Sequence, residues 1–217
     1  MSLDKNLNKE EVAKLVEMLR DGTGIEVKKV NSKKILRIEW FNLVYFPTIV
    51  LTISKLLYYW ILKLNLVSDA ISSIETSGTK YALTTSIFLN LPFFPIYKSE
   101  KITFKKSRSV SSASVTQNKE VNLVTDEEIV KKFKRIILID DIRRTSRTFS
   151  SAISLINSCG SKVEACFSIL DFKFSSDELL TSIDGCKYYS LFIISEVYED
   201  GKCNVKEGLA LDYLRSL

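Results

Sequence analysis

Four consecutive apolar residues followed by two acids, Ile136-Ile137-Leu138-Ile139-Asp140-Asp141, constrain this chain more than any other stretch. An uninterrupted run of four predicts a strand buried on both faces, and hence the interior of a parallel sheet rather than an edge. The two carboxylates are expected to close that strand. Beyond them the sequence turns to hydroxyls and cations, Ile142-Arg143-Arg144-Thr145-Ser146-Arg147-Thr148. From Phe149 the period becomes helical, with Phe149, Ala152, Ile153 and Ile156 on one face and Gly160 as a stop. The order is strand, acidic pair, polar loop, helix.

In open α/β sheets, ligands sit beyond the carboxyl ends of the strands, where the next helix offers unpaired N–H groups. An anion suits that place. Thr145, Ser146 and Thr148 add hydroxyl donors to the amides, and Arg147 adds charge. Asp140 and Asp141 do the complementary work, since carboxylates accept hydrogen bonds from vicinal hydroxyls and hold the waters of a hydrated Mg²⁺. A ribose phosphate with its metal would fit both ends of the motif. Paired aspartates after a strand also serve as plain caps of a turn or helix, and it is the loop behind them that favours a site here.

A chain of 217 residues has room for one α/β domain with a small appendage. Its 31 Lys+Arg against 26 Asp+Glu suit an anionic small ligand but lack the concentrated basic patch of a nucleic-acid binder. Histidine is absent, which excludes imidazole bases, Ser-His triads and His-ligated zinc. Cys159, Cys166, Cys186 and Cys203 show no CxxC spacing, so reduced thiols in a cytoplasmic protein are expected, with a disulfide as the alternative. The apolar region from Ile35 to Val67 is interrupted by Arg37, Glu39, Lys55 and Lys63 and broken by Pro47, so no membrane span is expected.

Taken in order, Asn8 and Glu11 form a capping-box pattern ahead of Val12, Leu15, Val16 and Leu19, a helix stopping near Gly22. Strands follow at 26–30 and 35–40, so that residues 1–46 make a small lobe before a core at 47–217. A helix after Pro47 turns Ile49, Ile53, Leu56, Leu57, Trp60 and Leu64 to one side, and Thr52, Lys55, Tyr59 and Lys63 to the other. A strand at 70–74, the loop Glu75-Thr76-Ser77-Gly78-Thr79-Lys80, a helix from Tyr81 to about Leu89 and a strand at 93–97 compose a βαβ unit. Residues 101–104 read as an edge strand. Residues 105–118 are basic and serine-rich without apolar period, hence a disordered segment or a lid. Strands at 163–170 and 188–195 bring the core sheet to about five.

With these residues in view, Ile136 to Phe149 resembles the phosphoribosyl diphosphate (PRPP) motif of the type I phosphoribosyltransferases, four apolar residues, two acids and a T-G-G-T or T-G-K-T loop. The basic third loop residue, Arg147, resembles the 6-oxopurine branch. Ser146 stands where a glycine is usual, and Arg144 where an aspartate accepts the purine N7 proton. Glu75-Thr76-Ser77-Gly78 and Tyr97-Lys98-Ser99-Glu100-Lys101 resemble the pyrophosphate loop and following strand of the adenine and orotate enzymes. Gly208 to Arg215 resembles the ending of the 6-oxopurine branch.

The resemblance implies an α/β fold, a parallel sheet flanked by helices with a small hood from the two termini, and a mobile loop at 102–118 that covers PRPP. It implies that Arg144, Thr145, Ser146, Arg147 and Thr148 bind the 5'-phosphate and that Thr76, Ser77, Gly78, Lys98 and Lys101 bind pyrophosphate. Lys105, Lys106 and Arg108 would neutralise the leaving group from the lid. Asp140, Asp141 and Glu75 would act on the ribose, with Asp140, Asp141 and Asp212 as Mg²⁺ contacts. Taken alone, Gly78 also reads as a helix-start glycine, Lys98 and Lys101 as surface charges, and Asp212 as a residue of a surface helix end. Aligning Ser168-Ile169-Leu170 with the family leaves Phe172 at the base and Lys173 out of register, which favours a 6-amino over a 6-oxo purine. The expectation is a cytoplasmic, homodimeric adenine phosphoribosyltransferase of archaeal type, making AMP and pyrophosphate from adenine and PRPP. The alternatives are a 6-oxopurine or orotate enzyme, or a catalytically silent PRPP-binding regulator.

Overall fold

A computed structural model of the chain describes residues 5–30, 33–39, 47–113, 120–173 and 179–216. Trp40, expected in a strand, and residues 114–118 of the expected lid lie outside them. The central strand is β7, Arg135–Arg143, in which Ile136, Ile137, Leu138 and Ile139 have no exposed surface. Its side chains alternate between two apolar layers, Ile136 and Leu138 on one side, Ile137 and Ile139 on the other. Full burial of each such side chain contributes roughly 1.5–3 kcal/mol, so this run fixes the strand at the middle of the molecule.

Five parallel strands form the core of the sheet: β4 (Phe93–Ile96), β3 (Ala70–Ile74), β7, β8 (Lys162–Phe172) and β10 (Cys186–Val197), in that spatial order. Antiparallel β11 (Cys203–Glu207) extends the far edge, and the short β9 (Ser182–Ile183) pairs with β10. The chain leaves β3 for β4 in one direction and β7 for β8 in the other. The topological switch point therefore lies between β3 and β7, and crevices open at such points beyond the carboxyl ends of the strands.

Helices cover both faces. On one side lie α1 (Lys9–Arg20), α2 (Pro47–Lys63), α3 (Thr79–Leu89) and α6 (Leu209–Arg215), burying among others Leu15, Ile53, Tyr81 and Leu211 with Ile137 and Ile139. On the other, α5 (Arg147–Ser158) buries Phe149, Ala152, Ile153, Leu155 and Ile156. The antiparallel pair β1 (Ile25–Val30) and β2 (Lys33–Ile38) forms its own small sheet. Asn8 caps α1 by accepting from the Glu10 N–H, but Glu11 accepts from the Thr52 hydroxyl at 3.3 Å instead of completing a capping box. Thr52, expected on the polar side of α2, is buried, and that bond satisfies its hydroxyl.

Three local expectations fail, each for a physical reason. The acidic pair does not close β7, which runs on to Arg143 because β8 continues beside it and pairs Arg143 with Asp171. Residues 101–104 form a turn rather than an edge strand, with Phe104 N–H donating to the Lys101 carbonyl. The segment expected to lack regular structure contains β5 (Ser107–Ala113), paired antiparallel with β6 (Glu120–Asp126). Its serines carry no strand signal of their own. The apolar anchor comes from across the ladder, where Val110 meets the buried Leu123.

Candidate active site

The register of β3 on β7 pairs Ser73 with Ile139, so the loop leaving β3 emerges beside the acidic pair. Gly78, the first loop glycine singled out by sequence, lies against that pair. A Cβ at Gly78 would stand 3.0 Å from Asp140 Oδ1 and 3.1 Å from both Asp140 Cα and Asp141 N. Its φ of −65° is open to any residue, so space and not backbone freedom requires glycine here. What lies close to the Gly78 backbone is the acidic pair.

Asp140 is 7% exposed, and its Oδ1 accepts from the Asp141 N–H at 3.0 Å. Burial first, and then the neighbouring Asp141 carboxylate, push Asp140 well above the usual carboxylate range, while the Asp141 N–H and the Lys98 charge oppose them. A cation arriving with a ligand would favour the ionised form. Among the described residues no third His, Cys, Asp or Glu joins a group able to hold a metal. Two carboxylates without further protein donors suit a hard ion that keeps most of its waters. Asp212 is exposed on α6 and pairs with Arg215 at 3.5 Å.

The first loop is internally tied. Ser73 and Thr79 share a hydrogen bond of 3.1 Å, and the Glu75–Thr76 peptide is cis. Glu75 accepts from the Lys98 N–H at 3.4 Å and meets Lys101 Nζ at 3.7 Å, so these three gather with one another, and the Lys98 charge acts on Asp140. In the second loop Ser146 caps α5 with φ −77°, a conformation ordinary for an L residue, and its side chain makes no capping bond. The position does not call on glycine's conformational freedom. Thr145 and Arg147 are exposed and Thr148 half-buried at the start of α5.

Cations expected in the lid are engaged at its root. Lys106 and Arg108 pair with Glu127 at 2.7 and 2.6 Å, and the Lys105 and Lys106 N–H groups donate to Asp126. Arg144 lies with its guanidinium 5.6 Å from the ring of Phe172, which is itself 1% exposed. Burial lowers the Arg144 pKa.

Two groups were missed by sequence. Lys80 reaches back to the Ser77 carbonyl at 3.2 Å and its charge acts on Asp141; it sits at the end of the loop singled out by sequence, past the four residues that carry the resemblance. Arg143, Asp171, Tyr188 and Ser168 form a buried network. Arg143 Nη2 lies 2.7 Å from Asp171 Oδ1, and Tyr188 Oη donates to Asp171 Oδ2 at 3.0 Å and meets Ser168 Oγ at 2.5 Å. An Arg and an Asp on adjacent strands, 28 residues apart in sequence, give no local pattern.

No family model matches the chain. It is 32% identical over 102 residues to an adenine phosphoribosyltransferase of Campylobacter hominis, across 46% of this chain and 56% of that one. The match thus spans little more than half of that relative's length. Among solved structures, the adenine phosphoribosyltransferase of Thermoanaerobacter pseudethanolicus superposes with a TM-score of 0.67 at 18% identity, covering 82% of this chain and 98% of that one. The adenine phosphoribosyl transferase of Trypanosoma brucei, in complex with AMP, pyrophosphate and ribose-5-phosphate, superposes with a TM-score of 0.61 at 20% identity, covering 75% and 68%. At these identities the likeness is one of architecture, and this chain has the fold of the type I phosphoribosyltransferases.

Proposed function

We propose that this protein is a Mg²⁺-dependent purine phosphoribosyltransferase that converts adenine and PRPP to AMP and pyrophosphate. The observation that carries the reading is the meeting of two strand-to-helix junctions at the switch point, Gly78 of one packed within 3.0–3.1 Å of the acidic pair of the other if given a Cβ. One junction offers carboxylates and a hydroxyl-bearing helix start to a ribose 5-phosphate, and the other offers a loop and lysines to a diphosphate. The similarity to adenine phosphoribosyltransferases supports the choice of reaction.

In the reaction, N9 of the base bonds to C1 of the ribose as the C1–O bond breaks. The electron pair leaves on the diphosphate and the base's proton goes to solvent. Asp140, Asp141 and Glu75 balance the positive charge developing on the ribose. Thr145, Ser146, Arg147 and Thr148 hold the 5'-phosphate. Thr76, Ser77, Gly78, Lys98 and Lys101 hold the diphosphate, and the hairpin carrying Lys105, Lys106 and Arg108 excludes water. Asp140 and Asp141 would hold Mg²⁺, which when bound supplies positive charge to the departing diphosphate.

A second reading, a PRPP-binding regulator without turnover, draws on Arg144. Beside Phe172 this donor-only side chain offers no acceptor for a base proton. A spectrophotometric assay with PRPP, Mg²⁺ and each of adenine, hypoxanthine, guanine and orotate decides between them. Turnover of adenine is expected. PRPP binding with turnover of none would establish the regulator, and neither binding nor turnover would remove both.

A further inference from the structure

The loop Glu75-Thr76-Ser77-Gly78-Thr79-Lys80 holds one cation, and it is placed where helix physics disfavours it. Lys80 is the second residue of α3, at the end where the helix dipole is positive and repels an ammonium group. The side chain is also half-buried, and burial lowers its pKa against the pull of the Asp141 carboxylate. Its Nζ turns back onto the loop. It donates to the Ser77 carbonyl at 3.2 Å and lies 4.9 Å from the centroid of the Tyr81 ring, so the ammonium is held over the loop that faces the acidic pair.

The neighbouring cations are spent differently. Lys106 and Arg108 both meet Glu127, and Lys101 meets Glu75 and covers the Tyr97 ring at 4.7 Å. Lys98 and Lys80 are two whose charge acts on the acidic pair itself, Lys98 on Asp140 and Lys80 on Asp141. Lys80 belongs to the start of α3 and Lys98 to the chain just beyond β4.

We propose that Lys80 binds the diphosphate of PRPP. This rests on the transferase reading above and adds to it a residue outside the matched motif. Lys80 keeps its protons throughout. Phosphate oxygens at its Nζ offset the cost of a cation held at a helix start.

The test uses the full chain and its Lys80→Met and Lys80→Arg variants, titrated calorimetrically with inorganic pyrophosphate plus Mg²⁺ and separately with AMP. A lost charge-assisted hydrogen bond should weaken pyrophosphate binding roughly 10–100-fold in Lys80→Met while leaving AMP within about twofold, and Lys80→Arg should recover most of the loss. In turnover, the KM for PRPP should rise with the same selectivity. Unchanged pyrophosphate affinity in Lys80→Met overturns the assignment, as does an equal loss for pyrophosphate and AMP, which would mean a structural role. If the unaltered protein binds neither ligand, the transferase reading falls and Lys80's role with it. If it binds both and only the variant comparison fails, the Lys80 assignment alone is lost.

Discussion

The two strand-to-helix junctions that meet at the switch point share a plan but are stabilised differently. The one between β3 and α3 is tied within itself, through Ser73 to Thr79, Glu75 to Lys101, Lys80 to Ser77 and the Gly78 backbone packed on Asp140. The one between β7 and α5 leaves Ser146 without a side-chain capping bond and exposes Thr145 and Arg147. It is braced from beneath instead. Arg143 and Asp171 pair under it, Arg143 lies 5.5 Å from the Tyr188 ring, and that ring meets Phe149 of α5 edge-on at 5.8 Å. A junction braced from outside its loop keeps its hydroxyls and amides available to a ligand, whereas one tied within is preorganised at the expense of free donors.

The largest effect tests the brace. The Arg143 and Asp171 side chains are 14% and 5% exposed, so Arg143→Met strands a buried carboxylate. It should destabilise the protein by about 3–5 kcal/mol. Thermal unfolding would show this as a fall of roughly 2–4 °C per kcal/mol for a chain of this size. Arg143→Met with Asp171→Leu should regain much of the loss, because the pair's desolvation disappears with its attraction. A single variant as stable as the parent would mean that the second junction is held by its loop after all.

Next comes Gly78→Ala, which tests whether the first junction is set by contact with the second. The added methyl meets the Asp140 backbone as well as its side chain, so it cannot be relieved by a rotamer change alone. Overpacking of this kind costs about 1–3 kcal/mol. A shift of the acidic pair by a few tenths of an ångström should lower kcat/KM by about tenfold. Normal turnover at normal Tm would show that the two loops move independently.

Thr148→Val addresses the open junction from the other side. The swap keeps the volume at a half-buried position and removes one hydroxyl, so stability should change by less than about 0.5 kcal/mol. If the hydroxyl meets a phosphate, the KM for PRPP should rise about tenfold or more with little change in kcat. A loss of stability without any change in KM would reassign Thr148 to the helix.

Much of this contrast was legible from the sequence. Ile136 to Ile139 announce a doubly covered strand because the apolar run is local, and Gly78 stands out because a glycine at a helix start has few local uses. The acidic pair and both loops were placed for the same reason. What escaped was non-local. Nothing near Arg143 in sequence marks Asp171 as its partner, so β7 was expected to end two residues early. The 107–113 strand owes its order to Leu123 across the ladder, and Lys106 and Arg108 owe theirs to Glu127. Lys80 has no local mark of a role, because Asp141, on which its charge acts, lies 61 residues on.

The smallest effect lies at the opposite end of the same two strands, and it separates what holds the strands from what equips their junctions. Asp69, just before β3, accepts from the Arg135 N–H at 2.9 Å and the Lys134 N–H at 3.1 Å, and pairs with Arg135 Nη2 at 3.0 Å. The Arg135 guanidinium first, and then the Arg135 backbone N–H, hold its pKa below the ordinary 3.8. A carboxyl whose folded pKa is depressed stabilises the fold fully above its unfolded pKa, and that contribution is lost as pH falls through the folded value. The urea midpoint of Asp69→Asn should therefore sit slightly below that of the parent at neutral pH, with a gap that stays constant down to about pH 4 and closes below it. PRPP binding should not change, since this contact is a sheet length from the switch point. A gap that persists unaltered in strong acid would trace the effect to lost neutral hydrogen bonds, and a changed PRPP affinity would mean that the two ends of β3 and β7 are coupled.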